Sequence, residues 1–219
     1  VEAEALDWAE TRLAGLRERE PQRWGGHLVS GVRQDDARRI AFLEQNGFRR
    51  GPYAEVNMLR FLDGPLPQPA LPTGCQVRAL SEVGETAERA AAHREVWQPW
   101  SVGKVDGDDY ARFMRLPGYR RDLDVVAAVP DGTIAAYVNG WIDPLNRVGD
   151  FGPVGARPAY RRQGLTRAVL LEASRRMQAL GMDRVTVSTG ESNAAARGLY
   201  ESVGFTIVNR YFVYVKTAG

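Results

Sequence analysis

The sequence predicts an α/β fold in which helices flank a mixed, mostly antiparallel sheet. An apolar run over 151–156 is typical of a strand, and a helical pattern follows it from Leu165. A second helical pattern ends at Gly204, after which an apolar strand restarts at Phe205. The turn sequence Pro130-Asp131-Gly132 separates two further apolar runs, which indicates an antiparallel hairpin.

Hydrophobic spacing and turn residues place the remaining elements of the C-terminal part. Ser81 is a suitable N-cap for the first helix, and Gly181 can end the longest one. The predicted elements are, in order, a strand over 75–80, helices over 81–97 and 106–116, strands over 123–129, 133–142 and 147–156, a helix over 165–180, a strand over 184–189, a helix over 192–203, and strands over 205–209 and 211–216.

Composition limits the function classes. The 219 residues are 44% hydrophobic, enough for a packed core, and the net charge of +2 gives no reason to expect nucleic acid or an anionic membrane as partner. No apolar run reaches the length of about 18 residues that suggests a membrane span. Cys75 is the single cysteine, which favours a reducing, cytoplasmic compartment, and two histidines are too few for a metal cluster. We therefore expect no metal.

The loop Arg161-Arg162-Gln163-Gly164-Leu165-Thr166 joins the 147–156 strand to the following helix. Glycine lets the backbone approach a ligand closely, and the first amides of the helix have no partners within it. The helix dipole makes the same end positive, so the loop suits a diphosphate. An ordinary loop with surface arginines remains the alternative at this point.

A second segment runs from Asn193 to Phe205 and includes Ala196, Leu199-Tyr200 and Gly204. Together with the loop after Val154 and Pro158, it resembles the two signatures of the GCN5-related N-acetyltransferases, the GNAT superfamily, although Thr166 stands where that loop ends in Gly or Ala. The resemblance covers about Thr73 to the C-terminus. It implies the acyl-coenzyme A N-acyltransferase fold, with a splayed pair of parallel strands.

The resemblance also implies acetyl transfer from acetyl-coenzyme A, as cosubstrate, to a primary amine. Tyr200 would be the general acid that protonates the leaving thiolate, with a half-buried structural tyrosine as the alternative. The residues that would bind the coenzyme are Val154 and Ala156 along its pantetheine arm, Arg161, Arg162, Gly164, Leu165 and Thr166 at its pyrophosphate, and Asn193 by a hydrogen bond to the arm.

The general base is harder to assign. Relatives often have Phe-Glu-Pro-Val before the loop, whereas this chain has Phe151-Gly152-Pro153-Val154. Asp150 is the predicted base, although a one-residue shift along a strand reverses the face of a side chain. Glu191, Asp143 and a water relay without a dedicated base are the alternatives.

The acceptor site is expected between the first two helices and the strand ends. Trp97, Trp100 and Asp108 lie in this part of the sequence, and indole rings and carboxylates together suit a cationic amine. A core tryptophan and a solvated acidic turn are the alternatives. The expected acceptor is a small-molecule amine, with a protein N-terminus or lysine as the rival.

The proline-rich segment 63–72 predicts an extended linker between a partial N-terminal unit, 1–62, and a catalytic domain, 73–219. A weak internal repeat places 36–48 over 193–205, with Glu44, Gly47 and Phe48 matching and Leu43 at the Tyr200 position. The sequence therefore predicts a tandem arrangement with a degenerate, non-catalytic first unit. Its exposed sheet edge suggests packing on the other unit or in a homodimer.

Two functional classes remain open. The first is an N-acetyltransferase, and the two-unit layout with Phe151-x-Pro153-Val154-Gly155 also resembles the mycothiol synthase type. The second is a non-catalytic module that binds or senses acyl-coenzyme A, which the missing glutamate favours and Tyr200 disfavours. The sequence argues against a nucleotide-hydrolysing P-loop, because no Gly-Lys-Ser/Thr follows the glycine.

Overall fold

A computed structural model describes residues 2–20, 26–81, 84–98 and 105–217. The elements in chain order are α1 (Glu2–Arg19), β1 (His27–Arg33), α2 (Ala37–Gln45), β2 (Arg49–Phe61), β3 (Gln76–Ala79), α3 (Thr86–Val96), α4 (Gly107–Phe113), β4 (Asp124–Ala128), β5 (Ile134–Asp143), β6 (Val148–Ala156), α5 (Leu165–Ala179), β7 (Arg184–Gly190), α6 (Ala194–Ser202) and β8 (Thr206–Thr217), with short 3-10 helices at Arg121–Leu123 and Pro158–Tyr160.

The chain divides into two compact units. Unit 1 comprises Val1–Asn57, Thr189–Ala194 and Ile207–Gly219, and unit 2 comprises Met58–Ser188 and Ala195–Thr206. Strands β2, β7 and β8 therefore contribute residues to both units.

Unit 2 is built on the strand order β7-β6-β5-β4-β3. Neighbouring strands from β3 to β6 are antiparallel, whereas β6 and β7 are parallel. The apolar residues of β4 and most of β5 are buried, as expected for strands that are covered on both faces. This arrangement confirms the predicted mixed, mostly antiparallel sheet with a parallel pair and flanking helices.

Helices α3 and α5 cover opposite faces of this sheet. Tyr137 and Asn139 of β5 contact α3, through hydrogen bonds to His93 and Arg89 respectively. Gly140 faces the other way, where a Cβ atom would lie 2.7 Å from Met177 Cε of α5. Side chains alternate between the faces of a strand, so β5 lies between the two helices.

Unit 1 repeats the order helix, strand, helix, strand in α1, β1, α2 and β2. Strand β1 pairs antiparallel with β8, from His27 opposite Thr217 to Arg33 opposite Tyr211. The unit has its own apolar cluster, formed by Val32, Leu43, Phe48 and Tyr214 with partly buried neighbours. Asp36 caps α2 by accepting a 2.9 Å hydrogen bond from the Arg39 N–H.

Two predicted boundaries are wrong. Helix α3 begins at Thr86 rather than after Ser81, because Gly84 has φ +78°, a left-handed conformation that does not continue a helix. The carboxylate of Glu85 instead accepts a 2.7 Å hydrogen bond from the Ser81 N–H. The two predicted C-terminal strands are one continuous strand, β8, which runs from Thr206 to Thr217 through Asn209 and Arg210.

Within the described ranges, no helix is long and apolar enough to cross a membrane. The same ranges contain no group of three or more His, Cys, Asp or Glu side chains that could hold a metal ion.

Candidate active site

Strands β6 and β7 separate at the centre of the candidate site. Their parallel register runs from Val148 opposite Arg184 to Phe151 opposite Val187 and ends there. Strand β6 continues to Ala156, still paired with β5. Residues 152–156 thus follow the last recorded rung of the β6–β7 ladder, which agrees with the predicted splayed parallel pair.

Some N–H and C=O groups of this segment are not paired with β5 and point away from it. The Arg157 N–H donates a 2.9 Å hydrogen bond to the Ala135 carbonyl, which makes this a hydrogen-bonded position of the antiparallel ladder. Hydrogen-bonded and non-hydrogen-bonded positions alternate along such a ladder. Val154 and Ala156, which lie opposite Val138 and Ala136, are therefore non-hydrogen-bonded positions whose N–H and C=O groups face outward.

A β-bulge marks the start of this segment. Val138 pairs with Val154 and Gly140 with Phe151, so β6 has one residue more than β5 between these pairs. Bulges redirect a strand and are common beside active sites. Just beyond it, Gly155 allows α3 to approach, since a Cβ atom there would lie 2.3 Å from Val96 Cγ1.

The loop after β6 has the conformation that the glycine suggested. Gly164 has φ +79° and is the N-cap of α5, and Arg162 is also left-handed, with φ 63°. The first helical hydrogen bond runs from the Ala168 N–H to the Gly164 carbonyl at 3.0 Å, so the amides of Leu165, Thr166 and Arg167 precede the helical ladder. The buried Leu165 side chain fixes this end of the helix in the core.

The two loop arginines differ in what they contact. Arg161 Nε donates a 3.3 Å hydrogen bond to the Ala156 carbonyl, so its side chain covers the end of the open strand edge. Arg162 is exposed, and its left-handed backbone turns the chain toward Gly164. Both guanidinium groups add positive charge beside the N-terminus of α5.

Tyr200 lies on α6, with 6% of its surface exposed. Its ring packs near Phe205, with ring centroids 6.0 Å apart, and Phe205 in turn packs near Phe151 of β6. Burial, followed by the negative charge of Asp150, raises the pKa of Tyr200 to about 12. The raised pKa keeps the hydroxyl protonated in the neutral range. The hydroxyl makes no hydrogen bond within the part of the chain that the structure describes, so its hydrogen is available to a ligand.

Asp150 lies on β6 opposite Thr186 of β7, whose Oγ1 donates a 2.7 Å hydrogen bond to Asp150 Oδ1. Surrounding protein removes part of the carboxylate's hydration and raises its pKa, while the Thr186 hydrogen bond opposes that rise. Asp150 Oδ2 would lie 3.9 Å from a Cβ atom at Gly152. Gly152 stands where relatives have the glutamate. Because Asp150 precedes it by two residues on the strand, the side chain of Asp150 lies on the same face as that glutamate would. The change of face that a one-residue shift would cause therefore does not occur.

The alternative bases lie elsewhere. Asp143 pairs with Val148, six residues before Val154, which is about 20 Å along a strand. It accepts hydrogen bonds from the Leu145 and Asn146 N–H groups in a turn. Glu191 pairs with Arg210 within unit 1. Asn193 also belongs to unit 1, where its N–H donates a 2.9 Å hydrogen bond to the Gly190 carbonyl.

A cavity of about 280 Å³ lies next to the bulge of β6. It is bounded by helices α3 and α4 and by the strands β5 and β6. Its lining residues are Arg89, His93, Val105, Asp109, Tyr110, Phe113, Asn139 and Pro153. This is the region between the first two helices of unit 2 and the strands in which the acceptor was expected.

The structure brings some of the predicted acceptor residues close to this cavity. Trp97 is half-buried, and its Nε1 donates a 3.1 Å hydrogen bond to the Tyr137 hydroxyl, which also contacts the cavity-lining His93. Asp108 is exposed on the first turn of α4, while its neighbour Asp109 lines the cavity. Trp100 lies outside the described residues.

A buried polar network under the cavity was missed by the sequence reasoning. Arg89 is fully buried, with Nε 3.3 Å from Asp124 Oδ1 and Nη2 2.5 Å from Asn139 Oδ1. Asp124 Oδ2 accepts hydrogen bonds from the Tyr110 and Tyr119 hydroxyls. Burial is the largest single influence on Arg89 and lowers its pKa, but the charge and hydrogen bond of Asp124 together with Tyr110 and Tyr137 outweigh it, so the pKa is raised. The spacing Arg89, His93, Trp97 puts all three on one helical stripe, a signal that could have found them.

The 89–205 segment, which contains the cavity, the open edge of β6, the Gly164 loop and Tyr200, matches the sequence model of the acetyltransferase (GNAT) family. This segment is more than half of the chain. The protein belongs to the GNAT family. Members of this family use acetyl-coenzyme A as the acetyl donor.

Individual relatives support this assignment. The GNAT chain is 30% identical to a mycothiol acetyltransferase of Thermobispora bispora over 161 residues, which cover 68% of this chain and 52% of that protein. It is 26% identical to an acetyltransferase of Yersinia pestis over 113 residues, covering 52% of this chain and 74% of the relative. The chain thus spans about half the length of the mycothiol acetyltransferase.

Solved structures show the same fold. A GCN5-related N-acetyltransferase from Sphaerobacter thermophilus superposes with a TM-score of 0.73 at 23% identity, covering 88% of this chain and 61% of that one. A tandem GNAT protein from the clavulanic acid biosynthesis pathway has a TM-score of 0.70 at 17% identity, covering 94% and 68%. At these identities the likeness concerns the fold alone.

Proposed function

We propose that this GNAT protein is an N-acetyltransferase that transfers the acetyl group of acetyl-coenzyme A to the primary amine of a small molecule. Asp150 is the general base and Tyr200 the general acid. The observation on which the proposal rests is that Asp150 is close enough for its charge to act on Tyr200. Burial, followed by that charge, raises the pKa of Tyr200, and burial also raises the pKa of Asp150.

The residues fit the donor molecule. An outward-facing strand edge at Val154 and Ala156 can pair with the amide groups of a pantetheine arm as an added strand does. The amides of Arg162, Gly164, Leu165 and Thr166 lie at a helix N-terminus, which suits a pyrophosphate. Asn193 is proposed to bind the same arm.

The reaction proceeds by direct attack. Asp150, directly or through one water, takes a proton from the ammonium form of the acceptor, since only the free amine is nucleophilic. The amine nitrogen then bonds to the acetyl carbonyl carbon as the carbon–sulfur bond breaks, and Tyr200 gives its proton to the leaving sulfur. The nitrogen loses its extra proton to the Tyr200 oxygen, directly or through water, which leaves a neutral amide and restores the tyrosine. Tyr200 is suited to this role because a pKa of about 12 keeps it protonated throughout the neutral range.

Thermal unfolding with added ligands is the first test. We expect acetyl-coenzyme A and coenzyme A, but not ATP, to raise the melting temperature. Saturation at about a hundred times Kd stabilises a fold by roughly 2.7 kcal/mol. If neither coenzyme shifts the transition, the loop and strand edge do not bind the donor and the enzyme proposal fails.

A non-catalytic acyl-coenzyme A sensor is the second candidate, and Gly152 is the observation that favours it, since the glutamate of relatives is missing there. The two candidates differ in turnover. A clear thermal shift with coenzyme A, combined with no acetylation across a broad panel of amines, would favour the sensor. A protein N-terminus or lysine is the rival acceptor, and acetylation of peptides in preference to small amines would favour it.

We further propose that unit 1 contains the back half of a second, degenerate GNAT unit. Its order α1, β1, α2, β2 repeats α5, β7, α6, β8. Asp36 and the buried Leu43 occupy the positions that correspond to Asn193 and Tyr200, so this half lacks the general acid. The likeness to a tandem GNAT structure supports a two-unit layout.

Assembly and location remain predictions. A homodimer through unit 1 is supported by large apolar side chains at its surface, since Trp8 is 69% and Val29 65% exposed. Size-exclusion chromatography with light scattering tests it, and a monomer at micromolar concentration would contradict it. A cytoplasmic location follows only from the single cysteine, Cys75.

A further inference from the structure

We infer that the cavity between α3, α4 and the bulge of β6 selects acceptors that carry an oxygen hydrogen-bond acceptor, a carboxylate or a carbonyl, close to their amine. This inference rests on the proposed function and names the chemical class of its second substrate. It is argued from the hydrogen-bonding groups that line the cavity, two of which are donors without an acceptor among the described residues.

The first such donor is His93. The Tyr137 hydroxyl accepts the 3.1 Å hydrogen bond from Trp97 Nε1 and lies 2.8 Å from His93 Nδ1. Tyr137 is fully buried, and among the described residues His93 Nδ1 is the one acceptor within hydrogen-bond distance of its hydroxyl, so we assign the hydroxyl hydrogen to Nδ1. His93 is therefore the tautomer with its proton on Nε2, an assignment made from the hydrogen bonds.

The imidazole stays neutral in this position. Burial, and then the nearby charge of Arg89, lower the pKa of His93 below its ordinary value. Nε2–H has no acceptor within the described ranges, and the side chain lines the cavity. A bound molecule therefore meets one N–H donor here.

Arg89 supplies the second donor. Its Nε and Nη2 are bonded to Asp124 and Asn139, but Nη1 is buried and has no hydrogen-bond partner among the described residues. Buried guanidinium nitrogens are rarely left without an acceptor. Arg89 lines the same cavity as His93, one helical turn away on α3.

The polar acceptors of the cavity wall are already in use. Asn139 Oδ1 accepts from Arg89, and the Tyr110 hydroxyl accepts a 3.4 Å hydrogen bond from Asn139 Nδ2. Asp109 accepts from Arg112 and, at 3.1 Å, from the Asp106 N–H. The rest of the wall is apolar, with Val105, Phe113 and Pro153. The cavity thus matches a molecule with an apolar body and an oxygen acceptor.

Three matched amines test this inference: 2-phenylethylamine, phenylalaninamide and phenylalanine. They share the amine and the phenyl group, and they carry respectively no oxygen, a carbonyl and a carboxylate. Their Kd values are measured by titration calorimetry on the full chain saturated with coenzyme A, so that no turnover is needed. We expect at least one of the two oxygen-bearing amines to bind about tenfold or more tightly than 2-phenylethylamine, and the tighter of the two identifies the oxygen group.

His93→Leu removes the donor, and we expect it to reduce the preference to within about twofold. His93→Gln, which keeps an N–H donor, should retain part of the preference. Arg115→Gln, outside the cavity lining, is the surface control. Equal Kd values for the three amines in the wild-type protein, or an unchanged preference in a folded His93→Leu variant, would overturn the inference.

This design separates the two proposals. A binding preference without acetylation would support the acceptor class and contradict the enzymatic function. Acetylation of all three amines with equal kcat/KM would support the function and overturn the acceptor class. Failure of coenzyme A itself to shift the melting temperature would overturn the proposed function and, with it, the inference that rests on it.

Discussion

Thr186 Oγ1 donates a 2.7 Å hydrogen bond to Asp150 Oδ1 across the parallel pair β6 and β7. The two residues are register partners, one rung before the pairing ends at Phe151 and Val187. The proposed base is therefore held by the last part of the ladder, immediately before the strands separate. Its orientation depends on a neighbouring strand rather than on a mobile loop.

Asp150→Asn is expected to abolish most acetylation while raising the melting temperature at pH 7. A carboxyl whose pKa is raised in the folded state contributes stability below its unfolded pKa and loses it as pH rises through the folded value. At pH 7 the ionised Asp150 thus costs stability, which the neutral asparagine avoids. Melting curves between pH 3 and 8 should show the difference disappearing in acid. Asp63→Asn, at an exposed position, should change neither quantity.

Thr186→Val is expected to move the acidic limb of the kcat/KM profile to higher pH. The threonine hydrogen bond favours the ionised carboxylate, so its removal raises the pKa of Asp150 further. The pH–rate profile of the variant measures this shift. An unmoved limb would mean that another group, or water, accepts the proton.

Tyr200→Phe is expected to lower kcat by about 10²–10⁴-fold, the usual contribution of general acid catalysis, with the Kd for coenzyme A nearly unchanged. The hydroxyl makes no hydrogen bond to the described part of the chain, so its removal should leave the fold intact. Because the pKa of Tyr200 is about 12, wild-type activity should show no basic limb from this group below about pH 10. Tyr214→Phe, at another buried tyrosine, is the matched control. Equal turnover by Tyr200→Phe and the wild type would remove this residue from the mechanism.

Gly164→Ala is expected to weaken coenzyme A binding and to destabilise the protein by about 1–3 kcal/mol, the cost of a left-handed conformation for a residue with a Cβ atom. Gly198→Ala provides the contrast, since this glycine lies inside α6 with no atom within 4 Å of an added Cβ. It should stabilise the fold by about 0.5–1 kcal/mol. Chemical denaturation and coenzyme titration measure both effects.

Gly155→Ala is expected to destabilise unit 2 by about 1–3 kcal/mol, because the new methyl group overlaps Val96 Cγ1 at 2.3 Å. Val96→Ala makes room for it. The double variant should therefore lose less stability than the sum of the single losses, with a coupling of about 0.5–3 kcal/mol. If the stability loss of the double variant equals the sum of the two single losses, the Val96 side chain of α3 does not contact β6 at Gly155.

The sequence predicted the elements well where periodicity and turn residues agreed, as in α5 with Gly181 and the hairpin at Gly132. It misplaced the start of α3, because a Ser cap at position 81 is a local signal and the conformation of Gly84 depends on what surrounds it. The end of the β6–β7 pairing at Phe151 and Val187 agrees with the splayed parallel pair that the family resemblance implied. The Arg89 network was missed, since an arginine on a helix normally indicates a solvated face, and only the fold shows that Asp124 and Asn139 meet it inside.

The outward-facing edge of β6 consists of main-chain atoms. Substitutions along 152–156 that keep the strand extended leave those N–H and C=O groups in place, whereas proline at Val154 or Ala156 would delete a donor. Except at Gly155, where Val96 leaves no room for a Cβ atom, the side chains of this segment can therefore change without disturbing the edge. Under the proposed function, substitutions on one side of the strand could change the choice of acceptor while the main-chain atoms that are proposed to bind the donor stay in place.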